Sequence, residues 1–271
     1  MVTLGSERAL YEENPLRRIA YLLLGEINIP GRVRAINVLR SINKIVDREV
    51  KSMSVLDAGC GKGTLSFFLA RKHPHWKITG VDIEAQKVQK LNEIKEKLGV
   101  KNLQFNQKDL TSLESSESYD IVLNCDVLEH IEDDERVIHK FWEALRQGGY
   151  LILTFPSLPQ RKHLRWVEWR ERRIGFKLSD YGHVRRGYSI SEIKEKLQRT
   201  GFRNIQTKWT YGFWGTLAFD LFFVIGDNRP NPLIFAIFFP FLCLLGILDI
   251  YFPPKSGSGL LVVSQKNAAR S

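Results

Sequence analysis

The residues most able to do chemistry begin with a run of glycines behind an acid. In Val55-Leu56-Asp57-Ala58-Gly59-Cys60-Gly61-Lys62-Gly63, two apolar residues lead into an acid and glycines then alternate; Thr64 to Ala70 continue with helical character. This order predicts a short buried strand, a tight turn and a helix N-terminus. Glycine lets the chain bend sharply and lets a ligand approach the backbone with no Cβ between them. Asp57 would repel a pyrophosphate. A dinucleotide fingerprint would also need its third glycine at position 64 or 66, where Thr64 and Ser66 stand. An acid here suits a ligand with a cationic amine instead. Asp82 closes a second strand, Trp76 to Ile83. It falls about 20 residues past the turn, the spacing at which an acid meets ribose hydroxyls, and its carboxylate can accept both hydrogens. Asp109 closes a third strand, Leu103 to Leu110.

These acids need strands to place them and helices to separate the strands. Residues 84 to 98 have helical period and stop at Gly99. A fourth strand, Tyr119 to Asp126, runs into Leu128-Glu129-His130-Ile131. An amphipathic helix over 132 to 146 then meets Gln147-Gly148-Gly149, and a fifth strand follows to Pro156. Ser189 or Ser191 caps a later helix that Gly201 ends, before a sixth strand from Asn204 to Thr210. Gly259 to Lys266 form the last strand. Residues 7 to 50 read as two helices broken at Asn28-Ile29-Pro30-Gly31. They pack on the core, or the first of them acts as a lid. Arg32 and Arg34 are solvated helix charges or contacts to an anionic substrate.

Alternation of strand and helix predicts an α/β fold with a mostly parallel sheet. At 271 residues the chain holds one sizeable α/β domain with additions, and its net charge of +10 favours anionic partners. Cys60, Cys125 and Cys243 are widely spaced with no metal-type Cys/His pattern, which fits a reducing cytoplasm. Glu7, Arg8, Glu12 and Glu13 interrupt any apolar leader.

The 55–63 run resembles motif I of the class I S-adenosylmethionine (SAM)-dependent methyltransferases, and the similarity extends over residues 51–210 and 259–266. The order strand, Leu-Glu-His-Ile, helix, Gly-Gly, strand, Pro resembles their small-molecule and lipid-quinone branch, which includes polyprenyl-phenol O-methyltransferases. His183-Val184-Arg185 resembles the His-x-Arg segment often found before the family's last helix. The resemblance implies a Rossmann-like seven-stranded sheet with helices on both faces and SAM as cofactor. It implies that Asp57, Gly59, Cys60, Gly61 and Gly63 hold the methionine end. Asp82 and Ile83 would serve the ribose, Asp109 and Leu110 the adenine, and Asn124 would complete the set. Nucleic-acid amino methyltransferases carry Asn or Asp, two prolines and an aromatic after strand four; Asn124-Cys125-Asp126-Val127 does not match.

Methyl transfer to a phenol of pKa near 10 is helped by a base, worth about 10²–10⁴-fold. The candidates are His130 and His183, with Glu129 and Tyr181 behind them. The bland alternatives are a structural helix start for His130 and a backbone-bonded loop residue for His183. No metal is expected. If a helix begins at 126, however, Asp126, Glu129 and His130 share a face, as in the acid-x-x-Glu-His cluster that the polyprenyl-phenol enzymes use.

Two segments point to a surface. Residues 160–186 are basic and carry Trp166 and Trp169, which suits an anionic membrane interface or single-stranded nucleic acid. Residues 213–258 hold two apolar limbs joined at Asp227 to Pro232. The last strand must rejoin the sheet, so the limbs go out and return. The first is too short to span a bilayer and Pro240 breaks the second. A re-entrant or interfacial hairpin is expected; a dimer interface or a soluble cap is the alternative. The domain plan is therefore a helical cap at 1–50, a SAM core at 51–212, the hairpin, and a final strand and tail at 259–271. The leading function is a cytoplasmic SAM-dependent methyltransferase, peripheral or monotopic at the inner membrane face, that transfers a methyl group to an oxygen of a hydrophobic or lipid-linked acceptor. An RNA methyltransferase and a SAM-binding subunit without turnover are the competing readings, and nucleic acid is the less expected partner.

Overall fold

The computed structural model describes residues 3–10, 12–46, 52–114, 118–158, 182–226 and 232–267. Seven strands form one sheet: β1 (Ser54–Ala58), β2 (Lys77–Asp82), β3 (Leu103–Gln107), β4 (Tyr119–Cys125), β5 (Leu145–Pro156), β6 (Phe202–Thr210) and β7 (Gly259–Lys266). Their order is β3-β2-β1-β4-β5-β7-β6. The first five run parallel, and β7 lies antiparallel between β5 and β6. The sheet is Rossmann-like, as expected from the sequence.

Helices cover both faces, and the period-2 rule of a strand sorts the side chains between them. Val55, Ile121 and Leu123 pack under α2 (Ile29–Ile45), α3 (Thr64–Lys72) and α4 (Ala85–Leu98). Leu56, Val122 and Leu151 pack under α5 (Asp134–Ala144) and α6 (Ile190–Thr200). The predicted break at Asn28 is a helix start: its side chain accepts from the Gly31 N–H at 2.7 Å, and Pro30 sits in the first turn, where its missing N–H is harmless. Asn14 caps α1 (Pro15–Leu24) the same way. Ser189 caps α6 and Gly201 ends it in a left-handed conformation.

Two boundaries differ from the sequence reading. No helix begins at 126: Asp126 has a left-handed φ of 53°, Leu128 to His130 make a single 3-10 turn, and α5 starts at Asp134. Nor does Pro240 break the second apolar limb. That limb is one helix, α8 (Pro232–Tyr251), packed beside α7 (Phe213–Gly226). Pro240 is exposed on the outer side of α8, and the inner face, with Phe239, Leu242 and Leu245 buried against Ile29 and Val33 of α2, holds the helix together through it. Packing here outweighs one lost hydrogen bond.

The root of this hairpin is fastened by the acid that interrupts its composition. The Asp249 carboxylate accepts from the N–H groups of Tyr211, Gly212 and Gly215 at 2.9, 2.8 and 3.0 Å, so it caps α7 from across the fold. Gly215 is required because a Cβ there would lie 2.6 Å from the same carboxylate. Asp249→Ala leaves buried donors unsatisfied and should lose on the order of 3 kcal/mol in denaturant unfolding. Asp249→Asn, which keeps an acceptor oxygen, should lose less; a wild-type unfolding curve for the alanine variant would show that the root is held otherwise.

Candidate active site

The glycine run occupies the switch point of the sheet, between β1 and β4, where the strand order reverses and ligands bind past the carboxyl ends. The Gly59 and Cys60 N–H groups both reach the Val81 carbonyl at 2.8 Å, tying the turn to β2. Gly61 N–H donates to Asp82 Oδ2 at 2.9 Å, and Glu84 N–H donates to Oδ1 at 3.0 Å. Asp82 is thereby held at the loop. Gly59 has φ 79°, and a Cβ on it would strike Val127; a Cβ on Gly61 would meet nothing, because that residue borders open space.

That space is a cleft of about 770 Å³ lined by Asp57, Gly59, Cys60, Gly61, Asp82, Ile83, Asp109 and Leu110, among others. Asp57 is 3 % exposed. Burial pushes its pKa up to about 6, opposed by hydrogen bonds from Ser66, whose hydroxyl donates at 2.5 Å, and aided by the Asp82 charge. A buried acid with raised pKa gains most from a cationic partner. Ile83 is 63 % exposed at the cleft, an apolar surface available to a flat ring. Asp109 accepts from Thr111 N–H and Oγ1 at 2.8 and 2.9 Å, starting the 3-10 turn Leu110–Ser112. Burial pushes the Cys60 thiol up, so it is an apolar wall and no nucleophile. Asn124 does not line the cleft: it is buried, and its amide donates to the Ala58 carbonyl at 2.9 Å, bracing β4 against β1.

The residues proposed for chemistry divide. His130 lines the cleft. Its Nδ1 lies 3.1 Å from the Gly182 carbonyl, which can only accept, so the proton sits on Nδ1 and the lone pair on Nε2. His183 stands edge-on to it, ring centroids 4.4 Å apart, and its pKa is lowered by burial and by His130. Glu129 is 1 % exposed; burial and then the Asp126 charge push its pKa up to about 8. Tyr181 lies outside the described residues, as does 159–181 of the basic segment. Arg185, at that segment's end, is occupied with Asp134 and the Ile131 and Glu132 carbonyls. Asp134 also binds Tyr188 and Lys196, which locks the segment's return onto α5. Among the described residues, the potential ligand atoms that converge, within 4.8 Å, are those of Glu129, His130 and His183. Asp126, the expected third member, is instead paired with Arg34 and accepts from Thr154 Oγ1 at 3.0 Å.

The N-terminal segment supplies what no motif announced. Arg8 and Glu26 form a buried pair at 2.7 Å, and both line the cleft with Asn28, Gly31 and Arg34. Arg34, one of the helix charges singled out in the sequence, lines the cleft; Arg32 instead donates to the Glu26 carbonyl at 3.1 Å. The cap thus packs on the core and also forms one wall of the site.

A methyltransferase domain model matches residues 49–184, half of the chain, and the chain belongs to that family. Its fold and cleft are those of the class I SAM-dependent methyltransferases, and SAM is the cofactor that the acids fit. The ubiquinone biosynthesis O-methyltransferase of Rickettsia prowazekii is 25 % identical over 196 residues, 72 % of this chain and 75 % of that protein. The (S)-coclaurine N-methyltransferase of Thalictrum flavum subsp. glaucum is 28 % identical over 37 % of this chain, which spans only 28 % of that relative. The Candida albicans mitochondrial ubiquinone biosynthesis O-methyltransferase is 32 % identical over 38 % of this chain and 32 % of its own length. Among solved structures, a phosphoethanolamine N-methyltransferase 2 of Haemonchus contortus, crystallised with phosphomonomethylethanolamine and S-adenosylhomocysteine, superposes with TM-score 0.61. It is 13 % identical and covers 94 % of this chain and 61 % of its own.

Two measurements test the cofactor assignments. Asp82→Ala removes charge-assisted bonds and should weaken SAM binding by about 1.5–3 kcal/mol in calorimetry; unchanged affinity in a folded variant would remove Asp82 from the site. For Asp57, the folded pKa of about 6 lies above the ordinary value of 3.8. Its stabilising effect is therefore fully present below about pH 4 and lost as pH rises through about 6. SAM binding has the opposite sign, because the amine needs the ionised carboxylate. Affinity should fall by about tenfold between pH 7 and pH 5, and Asp57→Asn should flatten that dependence; a pH-independent wild-type affinity over this range would exclude the pairing.

Proposed function

We propose that the protein transfers a methyl group from SAM to an oxygen of a hydrophobic, lipid-linked acceptor at the anionic, cytoplasmic face of a membrane. The observation that carries the membrane half of this reading is the outer face of α8. Ile234, Ile237, Phe238, Phe241, Leu244, Ile247 and Tyr251 are all exposed, with Ile237 at 73 %. Their spacing of three and four residues puts them on one stripe. Leu16, Ile19 and Leu23 of α1 add a second exposed apolar face. Water is a poor solvent for so much apolar surface, and such patches mark interaction sites. The inner face of α8 is committed to α2 and α7, and β7 must return to the sheet between β5 and the edge strand β6, so the helix lies along the interface and does not cross it. The net charge of +10 adds attraction to an anionic leaflet, about 1 kcal/mol for each Lys or Arg close to it.

SAM supplies a methyl group on a sulfonium, and transfer requires in-line approach by the acceptor oxygen. Asp57 meets the amine and Asp82 the ribose. His130, with its lone pair on Nε2, takes the acceptor's proton; His183 stays neutral beside it and excludes water from one side. The similarity to ubiquinone O-methyltransferases supports oxygen as the site of transfer, and the coclaurine relative shows nitrogen acceptors in the same family.

Two outcomes are expected. The full-length protein should float with vesicles containing phosphatidylglycerol at low salt, and Ile237→Glu with Phe241→Glu should reduce that partition by about tenfold or more. A monodisperse protein that ignores such vesicles without detergent would end the membrane reading. His130→Ala should lower methyl incorporation from labelled SAM into a total lipid extract by about 10²-fold or more while SAM affinity stays constant; full turnover in that variant would place the base elsewhere.

A further inference from the structure

The exposed stripe of α8 ends at Tyr251, and a pocket of about 370 Å³ opens one residue further on, at the root of the hairpin. Its rim is aromatic: Phe213, Trp214 and Phe252 line it and are 56, 38 and 67 % exposed. Phe213 and Trp214 meet edge to face, ring centroids 5.0 Å apart. Two charges of opposite sign share the same walls. Asp249 is buried in the floor, while Lys255 is exposed at the mouth beside Ser256. Lys255 makes no ion pair among the described residues. Burial raises the Asp249 pKa, against the pull of its three N–H donors and of Lys208, so a cation in the pocket favours its ionised form. The backbone around the pocket is closely fitted. Tyr211 is held at a left-handed φ of 53°; a Cβ on Gly212 would lie 2.2 Å from the Pro254 Cβ, and one on Gly257 2.2 Å from the Thr210 carbonyl oxygen. Backbone strain of that kind persists where the surroundings enforce it and clusters at ligand sites.

We infer that this pocket binds the zwitterionic head of a membrane phospholipid, with the ammonium among the Phe213, Trp214 and Phe252 rings and the phosphate on Lys255 and Ser256. Aromatic faces attract an alkylammonium through their quadrupole, and the Asp249 carboxylate behind them adds to that attraction. Lys255 offers the phosphate a charge-assisted hydrogen bond and the Ser256 hydroxyl a neutral one. The pairing of signs selects the ligand. A phosphate alone would face Asp249, and an ammonium alone would face Lys255; a head that carries both satisfies each. The volume suffices, since sites for small ligands begin at about 300 Å³. The pocket shares no lining residue with the SAM cleft, so the head it holds is an anchor and not the methyl acceptor. Its place at the end of the exposed stripe, with aromatic residues that favour headgroup depth, points to lipid as the source of that head. The inference rests on the membrane reading for that source, while the pocket itself can be tested without vesicles.

The probes are glycerophosphoethanolamine, glycerophosphoglycerol, glycerol phosphate and ethanolamine, each titrated against the full-length protein by ligand-observed NMR. Glycerophosphoethanolamine should bind about fivefold or more tightly than the other three. Lys255→Glu and Trp214→Ala should each weaken it by about fivefold or more, while Trp214→Phe, which keeps a ring, stays within about threefold of wild type. Phe252→Ala, at a position 67 % exposed, repeats the test should Trp214→Ala fail to fold. SAM affinity in calorimetry should stay within about twofold of wild type in every variant, because the two sites are separate. Equal binding of glycerophosphoglycerol and glycerophosphoethanolamine, or undiminished binding in the folded variants, overturns the assignment. The lipid source is read by flotation on vesicles of constant phosphatidylglycerol content. Replacing a neutral galactolipid in them by phosphatidylethanolamine should raise the partition of the wild-type protein by about threefold, and the gain should vanish in Trp214→Ala. No gain in the wild-type protein overturns the lipid assignment. Flotation on phosphatidylglycerol and galactolipid alone reads the membrane proposal without the pocket, so the two can fail separately.

Discussion

The last strand in sequence is not the last in the sheet. β7 must slide between β5 and β6, and everything placed between β6 and β7 has to leave the core and come back to the same edge. The apolar hairpin is that excursion. Its two ends meet at one point, where Asp249 gathers three backbone N–H groups and Tyr211 donates its hydroxyl to the Pro30 carbonyl at 2.6 Å, joining the root to the start of α2. Helix α2 consequently serves two cores: Val38 and Ile42 pack on the sheet, Ile29 and Val33 on the hairpin. The apolar excursion is in this way rigidly connected to the helix that also carries Arg34 into the cleft.

Charge in the site is organised by burial. Asp57 and Glu129 are carboxyls whose ionisation is opposed by desolvation, and Asp82 and Asp126 are carboxylates held by fixed donors. The first pair responds to what arrives; the second is set in place by the fold. Arg34 lowers the ionisation cost of both acids, yet the Glu129 Oε2 accepts no hydrogen bond among the described residues. Arg34 and Asp126, each about a third exposed, pair at the border of the cleft, where solvent screens them in part.

The two cavities are built from different parts of the chain. The SAM cleft uses the strand ends and turn that the family shares. The second space uses the hairpin, which lies outside the family match at 49–184.

Sequence alone determined the sheet, the glycine turn and the acids at the strand ends, since these depend on short-range rules. Strand period sorts Val55 and Leu56 to opposite faces, the glycines demand a turn at 59–63, and acids at strand ends must reach the same edge once the strands run parallel. Asn28 and Ser189 were readable as caps or breaks for the same local reason. What the tertiary structure decided was every pairing across long stretches of chain. Arg34 and Asp126 are 92 residues apart, and Arg8 meets Glu26 only because the cap folds over the cleft. Asn124 sits next to the cofactor motif's strand yet braces β1, and Pro240 leaves α8 intact because its inner face is packed on α2. Periodicity and turn chemistry report which face a residue occupies, but the identity of the partner on that face is fixed only when distant segments close on one another.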